Sequence, residues 1–345
     1  MDIQRAIDLL SRFGHLQVAE AEAVMNQIMS GGATNAQIAA YLMALRMKGE
    51  TRDEITGSAK AMRANAHHVP TNGDSADLLD TCGTGGDKSG TFNISTTVAF
   101  VAAGAGLRVA KHGNRASSSK CGSADVLGAL GVNLDLTPEQ VGQCVDDVGI
   151  GFLFAAKLHP AMKHAIGVRR EMAVRTIFNI LGPLTNPAGA RRQLMGVFAA
   201  DMTDMLAHVL GQLGAVSAMV VSGYGGLDEL TTTGPNRVSH YHDQNIHSFD
   251  LDPAEYGFRG ANISELLGGE AADNAAILRG VLDGSIRDAK RDVVVLNAGA
   301  ALVAGGKAHS LRTAIPLAGE VIDSGAALRK LDELVAYSQK LVVAQ

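Results

Sequence analysis

Apolar residues recur at helical spacing through the first 67 positions. The runs are Ile3, Ala6, Leu9 and Leu10, then Ala21, Val24, Met25 and Ile28, then Ile38, Tyr41, Leu42 and Leu45. Ser30-Gly31-Gly32 stops the second run, and Thr51-x-x-Glu54 has the residues of a capping box that opens a fourth. The pattern predicts four short helices joined by brief loops. The polar, turn-rich stretch 69–77 predicts a linker.

Beyond the linker the periodicity changes. Short apolar runs at 77–80, 107–112, 132–136, 150–155, 194–199, 217–223 and 293–298 read as strands. They alternate with helix-like segments such as 95–106 and 137–148, the latter opened by Thr137, Pro138 and Gln140. Asp252-Pro253-Ala254-Glu255 repeats that start signal. Strand-helix alternation predicts an α/β architecture, a mainly parallel sheet flanked by helices, behind a small all-α domain.

Composition narrows the class. A chain of 345 residues with 46% hydrophobic positions can bury two cores or one large one. Forty glycines beside 4% aromatics and no tryptophan point to close backbone packing, as in α/β enzymes. The net charge of −5, with no block of Lys and Arg, argues against nucleic acid as a partner. Cys82, Cys121 and Cys144 are an odd set without CxxC spacing, so neither a disulfide framework nor a structural zinc is expected, and a reducing cytoplasmic setting fits. No apolar run reaches the ~18 residues of a membrane helix, and the charged, helical start is unlike a secretion leader. No membrane partner is expected.

Four stretches carry candidate chemistry. Residues 80–96, DTCGTGGDKSGTFNIST, follow an apolar strand and run into a helix. Gly83, Gly85 and Gly86 let backbone N–H groups turn inward, Thr84, Thr91, Ser95 and Thr96 add hydroxyls, and the helix start adds a positive dipole end. The result is a cradle for phosphate or diphosphate. It matches neither a Walker A loop nor GxGxxG, and the plain alternative is a glycine-rich turn with a capping serine. Residues 111–125 gather Lys111, His112, Asn114, Arg115, Ser117, Ser118, Ser119, Lys120 and Ser123 after another strand. Cations neutralise phosphate oxygens and hydroxyls complete their hydrogen bonds. Both loops leave the C-terminal ends of strands, where open α/β sheets bind ligands.

Asp228-Glu229 follows the apolar strand 218–222. Two loop carboxylates suit Mg²⁺, which bridges carboxylate to phosphate; a solvated acidic turn is the alternative. Arg169 and Arg170 sit on a predicted helix that leads to the turn-rich NILGPLTNP, and either guanidinium could pair with a carboxylate or stay solvated. His240, His242 and His247 lack companion carboxylates or cysteines and read as an exposed strand and loop rather than a metal site. No Gly-x-Ser-x-Gly elbow is present, and Cys121 has no base partner, so covalent nucleophilic catalysis has no support.

Taken together, GTGGD (83–87), NIST (93–96), KHGNR (111–115), GSADVLGALG (122–131), FNILGPLTNP (178–187) and Asp228-Glu229 resemble the anthranilate phosphoribosyltransferase family in order and spacing across nearly the whole chain. The resemblance implies a nucleoside-phosphorylase-type α/β domain (75–160 and 188–345) and a small helical domain (1–70 with about 162–187) that forms a homodimer. It implies transfer of the phosphoribosyl group of 5-phosphoribosyl 1-diphosphate (PRPP) to the amine of anthranilate. By this resemblance Gly83, Gly86, Asp87, Thr91, Asn93, Ile94, Ser95, Thr96, Lys111, His112, Gly113, Asn114, Arg115, Ala116, Ser117, Ser118, Ser119 and Ser123 hold PRPP, with Lys111 and His112 assisting catalysis. Ser95, Asp228 and Glu229 coordinate Mg²⁺, two ions per subunit, and Gly83, His112, Asn114 and Arg169 line the anthranilate site. Two departures stand out: Lys88 where a small residue is expected, and Cys121 where serine is usual. A pyrimidine nucleoside phosphorylase would share the fold but need no acidic metal pair. A non-catalytic nucleic-acid-binding paralogue would show a basic groove and lose that pair.

Overall fold

The structure, a computed structural model, describes residues 1–116 and 120–343. Four helices open the chain: α1 (Ile3–Ser11), α2 (Val18–Met29), α3 (Asn35–Lys48) and α4 (Arg52–Ala64). The Thr51–Glu54 capping box forms, Thr51 Oγ1 accepting the Glu54 N–H at 3.3 Å and Glu54 accepting the Thr51 N–H at 2.8 Å. Glu54 is fully buried, where Lys48 Nζ meets it at 2.8 Å and the Leu16 N–H donates to it at 3.1 Å. This one carboxylate ties the end of α3 to the start of α4.

Strands β1 (Leu78–Asp80), β2 (Arg108–Gly113), β3 (Ile150–Phe154), β4 (Arg192–Gly196), β5 (Ser217–Ser222), β6 (Asn236–His242) and β7 (Asn245–Leu251) form one sheet of order β3-β2-β1-β4-β5-β6-β7. The first five run parallel, and β6 and β7 are an antiparallel hairpin at one edge. Between β1 and β2 lies α5 (Ile94–Gly104). Between β2 and β3 lie α6 (Ser123–Ala129) and α7 (Pro138–Gln143). Helices α8 (Ala155–Leu158), α9 (Lys163–Met172) and α10 (Phe178–Leu181) separate β3 from β4, and α11 (Met202–Gln212) links β4 to β5. After β7 come α12 (Ala271–Leu282), α13 (Ala289–Ala304), α14 (Leu311–Asp323) and α15 (Ala326–Val343).

Helices cover both faces of the sheet. On one face α5, α6 and α12–α15 share a core with Leu79, Val109, Leu194 and Val221. On the other, buried residues of α1–α4 pack with Ala165, Val168, Ile177, Phe178, Leu181 and Leu184, and that cluster continues into Met195 and Val220 of the sheet. The segment 165–184 thus joins the N-terminal helices, and the Val69 N–H donates to the Pro187 carbonyl at 3.1 Å where the two chain passages cross.

Two strand expectations fail. Residues 132–136 form no strand; the Asn133 N–H donates to Ser338 Oγ of α15 and the Asp135 N–H to Asn133 Oδ1, side-chain partners that replace a ladder. Residues 293–298 lie inside α13, whose cap Asp288 accepts the Lys290 N–H at 2.9 Å. The helix is buried all round, so its apolar run has no periodicity to distinguish it from a buried strand. The start signal at 252–255 yields only a short 3-10 turn, Pro253–Tyr256. All three cysteines are free, and no helix among the described residues is long and apolar enough to cross a membrane.

Candidate active site

The loop from Thr81 to Asn93 turns back on itself through residues of left-handed backbone: Gly85 at φ +66°, Gly86 at +78°, Lys88 at +60° and Gly90 at +73°. Glycine adopts these angles freely, whereas Lys88 does so against its own Cβ. Asp87 spans the turn, accepting the Ser89 N–H at 3.1 Å. The loop ends at α5, where the Ser95 N–H points at Glu229 Oε1 (3.0 Å) rather than at another backbone group. Gly85 donates to Asp228 Oδ2 at 2.5 Å, and the Asp228 N–H lies 3.4 Å from Asp87 Oδ2. The acidic pair from the loop after β5 therefore faces the glycine-rich cradle.

That approach requires glycine twice. A Cβ on Gly83 would stand 2.7 Å from Asp228 Oδ2, and one on Gly196 would overlap the Asp228 carbonyl at 1.6 Å. Burial and the neighbouring Asp87 push the Asp228 carboxyl up to about 7; burial and Asp228 push Glu229 up to about 8. Asp87, Asp228 and Glu229 outnumber the one ammonium that acts on Glu229, Lys111, and that excess of buried negative charge suits a hard cation.

The second loop closes over the first. Lys111 is buried on β2, its Nζ 2.9 Å from the Thr81 carbonyl and 3.5 Å from Ser95 Oγ. Asp125 accepts N–H groups from Ala116 and Gly122, each at 2.9 Å, and meets Arg115 at 2.9 Å, so Arg115 is already paired. Ser123 Oγ donates to the Asn114 carbonyl at 3.2 Å, and Gly113 sits where a Cβ would collide with that hydroxyl. Asn93 acts as a joint between segments: its Oδ1 accepts from Asn274 Nδ2 (2.9 Å) and Cys121 Sγ (3.4 Å), and its Nδ2 donates to the Cys121 carbonyl (3.2 Å). Ile94 and Thr96 are buried in α5, and Thr91 bridges Leu267. Ser117, Ser118 and Ser119 lie outside the described residues.

Beneath the cradle, Asp80 takes the His112 N–H on Oδ1 (3.0 Å) and Asn186 Nδ2 on Oδ2 (2.8 Å), and Asn186 also reaches the Ala110 carbonyl. Asn186 of GPLTNP is thereby pinned to β1 and β2. Ligand atoms of Asp80, Cys82 and His112 fall within 4.8 Å of one another. Both Asp80 oxygens are spent, however, and burial holds the Cys82 thiol in its neutral form. This trio is a structural cluster rather than a better metal site than the acidic pair.

His112 Nε2 lies 3.2 Å from His159 Nε2. Burial, with His159 acting on His112 and His67 acting on His159, lowers His112 to about 3 and His159 to about 4, so both imidazoles are neutral and one donates to the other. Below about pH 6.5 the unfolded chain takes up protons that the folded pair refuses, so stability falls as pH drops towards 4. Accordingly, His159→Gln is expected to unfold within about 1 kcal/mol of the parent at pH 7.5. At pH 5 urea titrations should move the difference by about 1–2 kcal/mol in the variant's favour; an unchanged difference refutes the buried neutral pair.

Arg169 of α9 is half-buried, its guanidinium 5.2 Å from the Phe178 ring centre, whereas Arg170 is exposed. His240 pairs across the hairpin with His247 and meets Ser217 Oγ at 3.1 Å, a hydrogen-bonded edge rather than a metal centre.

Residues 75–328 match the family model described as the a/b domain of a glycosyl transferase family, and residues 4–66 match its helical bundle domain. The chain is 52% identical to the anthranilate phosphoribosyltransferase of Citrifermentans bemidjiense, over 98% of this chain and 99% of the relative. It is 54% identical to that of Moorella thermoacetica over 94% of each chain. The chain belongs to the anthranilate phosphoribosyltransferase family. Among solved members of the family, the Thermus thermophilus enzyme superposes with a TM-score of 0.92 at 43% identity, over 97% of this chain and 99% of that one. The Saccharomyces cerevisiae enzyme in complex with PRPP and Mg superposes with a TM-score of 0.89 at 26% identity, over 98% of each.

Three contributors to this transferase site escape a reading of the sequence. Asn297, in the run read as a strand, donates to the Leu230 carbonyl (2.7 Å) and accepts the Leu230 N–H (2.9 Å), which fixes the residue after Glu229. Asn274 anchors Asn93, and Arg175 reaches the Gly86 carbonyl. A polar residue inside an apolar run was the available signal for Asn297. Asn274 beside Asp273, and Arg175 shortly after Arg169 and Arg170, belong to no motif that would have singled them out.

Proposed function

We propose that the chain joins the amine of anthranilate to C1 of PRPP by direct displacement, with inversion. The nitrogen lone pair forms the C1–N bond, the C1–O bond breaks with its electron pair leaving on diphosphate, and the proton that the now cationic nitrogen sheds passes to the released diphosphate or to water. The observation that carries this reading is the acidic pair facing the anion cradle, Asp228 on Gly85 and Glu229 on Ser95. Gly83, Gly86, Asp87, Thr91, Asn93–Thr96, Lys111–Ser119 and Ser123 are assigned to PRPP; Gly83, His112, Asn114 and Arg169 are assigned to anthranilate. Ser95, Asp228 and Glu229 would hold magnesium, two ions per subunit, which when bound would supply positive charge for the diphosphate.

The side chains divide the remaining work. Lys111, held by Thr81 and Ser95, adds a fixed ammonium beside the leaving group. Inward N–H groups of the 83–86 turn stabilise developing negative charge. Anthranilate's arylamine is already neutral near pH 7, so His112 need only position it, which suits an imidazole whose burial keeps it uncharged. We assign residues 1–70 with about 162–187 to a helical unit that pairs two subunits; exposed Phe13, Met47 and Ile166 support that assignment, and a cytoplasmic setting fits.

Mixing the protein with Mg²⁺ and PRPP is expected to consume anthranilate fluorescence, with no loss when metal is omitted. Phosphorolysis of thymidine in place of this reaction would favour the nucleoside phosphorylase reading. Salt-sensitive DNA binding without turnover would favour the non-catalytic one.

A further inference from the structure

Arg175 lies between α9 and α10, on the stretch that packs with the N-terminal helices, yet its side chain ends on the phosphate loop. One guanidinium nitrogen donates to the Gly86 carbonyl, and the group lies 4.0 Å from the ring centre of Phe198, in the loop after β4. Its backbone carbonyl accepts from the guanidinium of Arg46 on α3. Two residues on, Ile177 is fully buried in the helical layer, and Phe178 beside it carries the Arg169 guanidinium on its ring. One short stretch therefore links the diphosphate cradle, through Arg175, to the residue assigned to anthranilate.

The charges around the cradle are unevenly committed. Arg115 is paired with Asp125, and Lys111 is buried on Thr81 and Ser95. The Arg175 guanidinium instead meets a neutral carbonyl and a ring face. A diphosphate offers a far stronger and bidentate acceptor at the same place.

We propose that Arg175 is a diphosphate ligand and the coupling element of the site: its guanidinium exchanges the Gly86 carbonyl for the diphosphate of PRPP, and that exchange draws the stretch carrying Phe178 and Arg169 into the geometry that binds anthranilate. The proposal rests on the function assigned above and adds to it a defined order of affinities. Anthranilate binds more tightly once diphosphate is in place, and by linkage diphosphate binds more tightly in the presence of anthranilate by the same factor.

The experiment uses inorganic diphosphate with Mg²⁺, which cannot react with anthranilate. Anthranilate titrations followed by its fluorescence, with and without Mg²⁺-diphosphate, give the coupling factor for the wild type, Arg175→Gln and Arg175→Lys. Melting temperatures verify that each variant is folded. In the wild type the expected tightening is about fivefold or more. Arg175→Gln is expected to bind anthranilate alone within about twofold of wild type, to weaken diphosphate by about tenfold, and to reduce the coupling factor to about one. Arg175→Lys, which keeps the charge, restores much of the diphosphate affinity. A folded Arg175→Gln protein that keeps both diphosphate affinity and coupling overturns the proposal. So does a wild type that binds both ligands without coupling. A wild type that binds neither anthranilate nor diphosphate instead overturns the assigned function, and this proposal with it.

Discussion

Glu229→Gln should fold normally and lose at least about 10³-fold of the Mg²⁺-dependent transfer rate, measured as anthranilate consumption at saturating PRPP. The amide keeps the size of the side chain, and its carbonyl oxygen can still accept the Ser95 N–H that Glu229 accepts at 3.0 Å. The backbone beyond it stays clamped by Asn297. The negative charge is what disappears, and with it the ligand proposed for magnesium. Stability supplies an independent check. Burial, then Asp228, raises the folded Glu229 to about 8, well above the ordinary carboxylate value near 4.3. Between those limits the folded chain binds more protons than the unfolded chain, so metal-free stability falls as pH rises from about 4 to 8. Without metal, Glu229→Gln is therefore expected to melt above the wild type at pH 8.5, with the gap closing as pH falls towards 4. A variant that keeps activity within tenfold removes Glu229 from the metal site, whatever its melting temperature.

The parts of this molecule that were legible in advance are those where local chemistry and final environment agree. Thr51 and Thr137 announce their helices because each caps with its own side chain and the residue three positions on answers. The GTGGD turn is legible because left-handed backbone calls for glycine at 85 and 86. The acidic pair is legible because two adjacent carboxylates after an apolar strand have few structural uses. Where tertiary context decides, the sequence is silent. The VVVLNA run has the composition of a strand, but its burial on every side erases helical periodicity, and the asparagine within it serves residue 230 across the fold. Asn93 shows the same limit from the other direction. Its motif suggests a phosphate contact, whereas its side chain spends its hydrogen bonds joining Asn274 to Cys121. Motif membership locates the site; the division of labour within it depends on long-range partners.

That division has a consequence for how the two substrates meet. Sheet loops rich in backbone N–H groups are assigned the phosphate side, and the acceptor side is assigned to a helix packed with the N-terminal bundle. Positioning the amine against C1 therefore depends on contacts between the two layers, of which Arg175 on Gly86 is one. A reaction that needs orientation more than proton transfer suits such a design, because approach of the layers supplies orientation directly.

Arg169→Ala tests the acceptor side. The Arg169 guanidinium lies over Phe178, half-buried, and burial lowers its pKa. Among the described residues its side chain makes no ion pair, so a charge has been partly desolvated and left available. A carboxylate arriving there gains a bidentate, charge-assisted pair worth about 1.5–3 kcal/mol, or roughly 10- to 150-fold in affinity. Steady-state kinetics of Arg169→Ala should show the KM for anthranilate raised by about 10², with the KM for PRPP within about threefold of wild type. Arg170, one position on and exposed, points elsewhere on the helix, so Arg170→Ala should leave both constants within about twofold. If Arg170→Ala weakened anthranilate and Arg169→Ala did not, the register of the acceptor site would be wrong by one residue. The partly buried guanidinium on Phe178 would then be a packing feature, costing stability rather than affinity when removed.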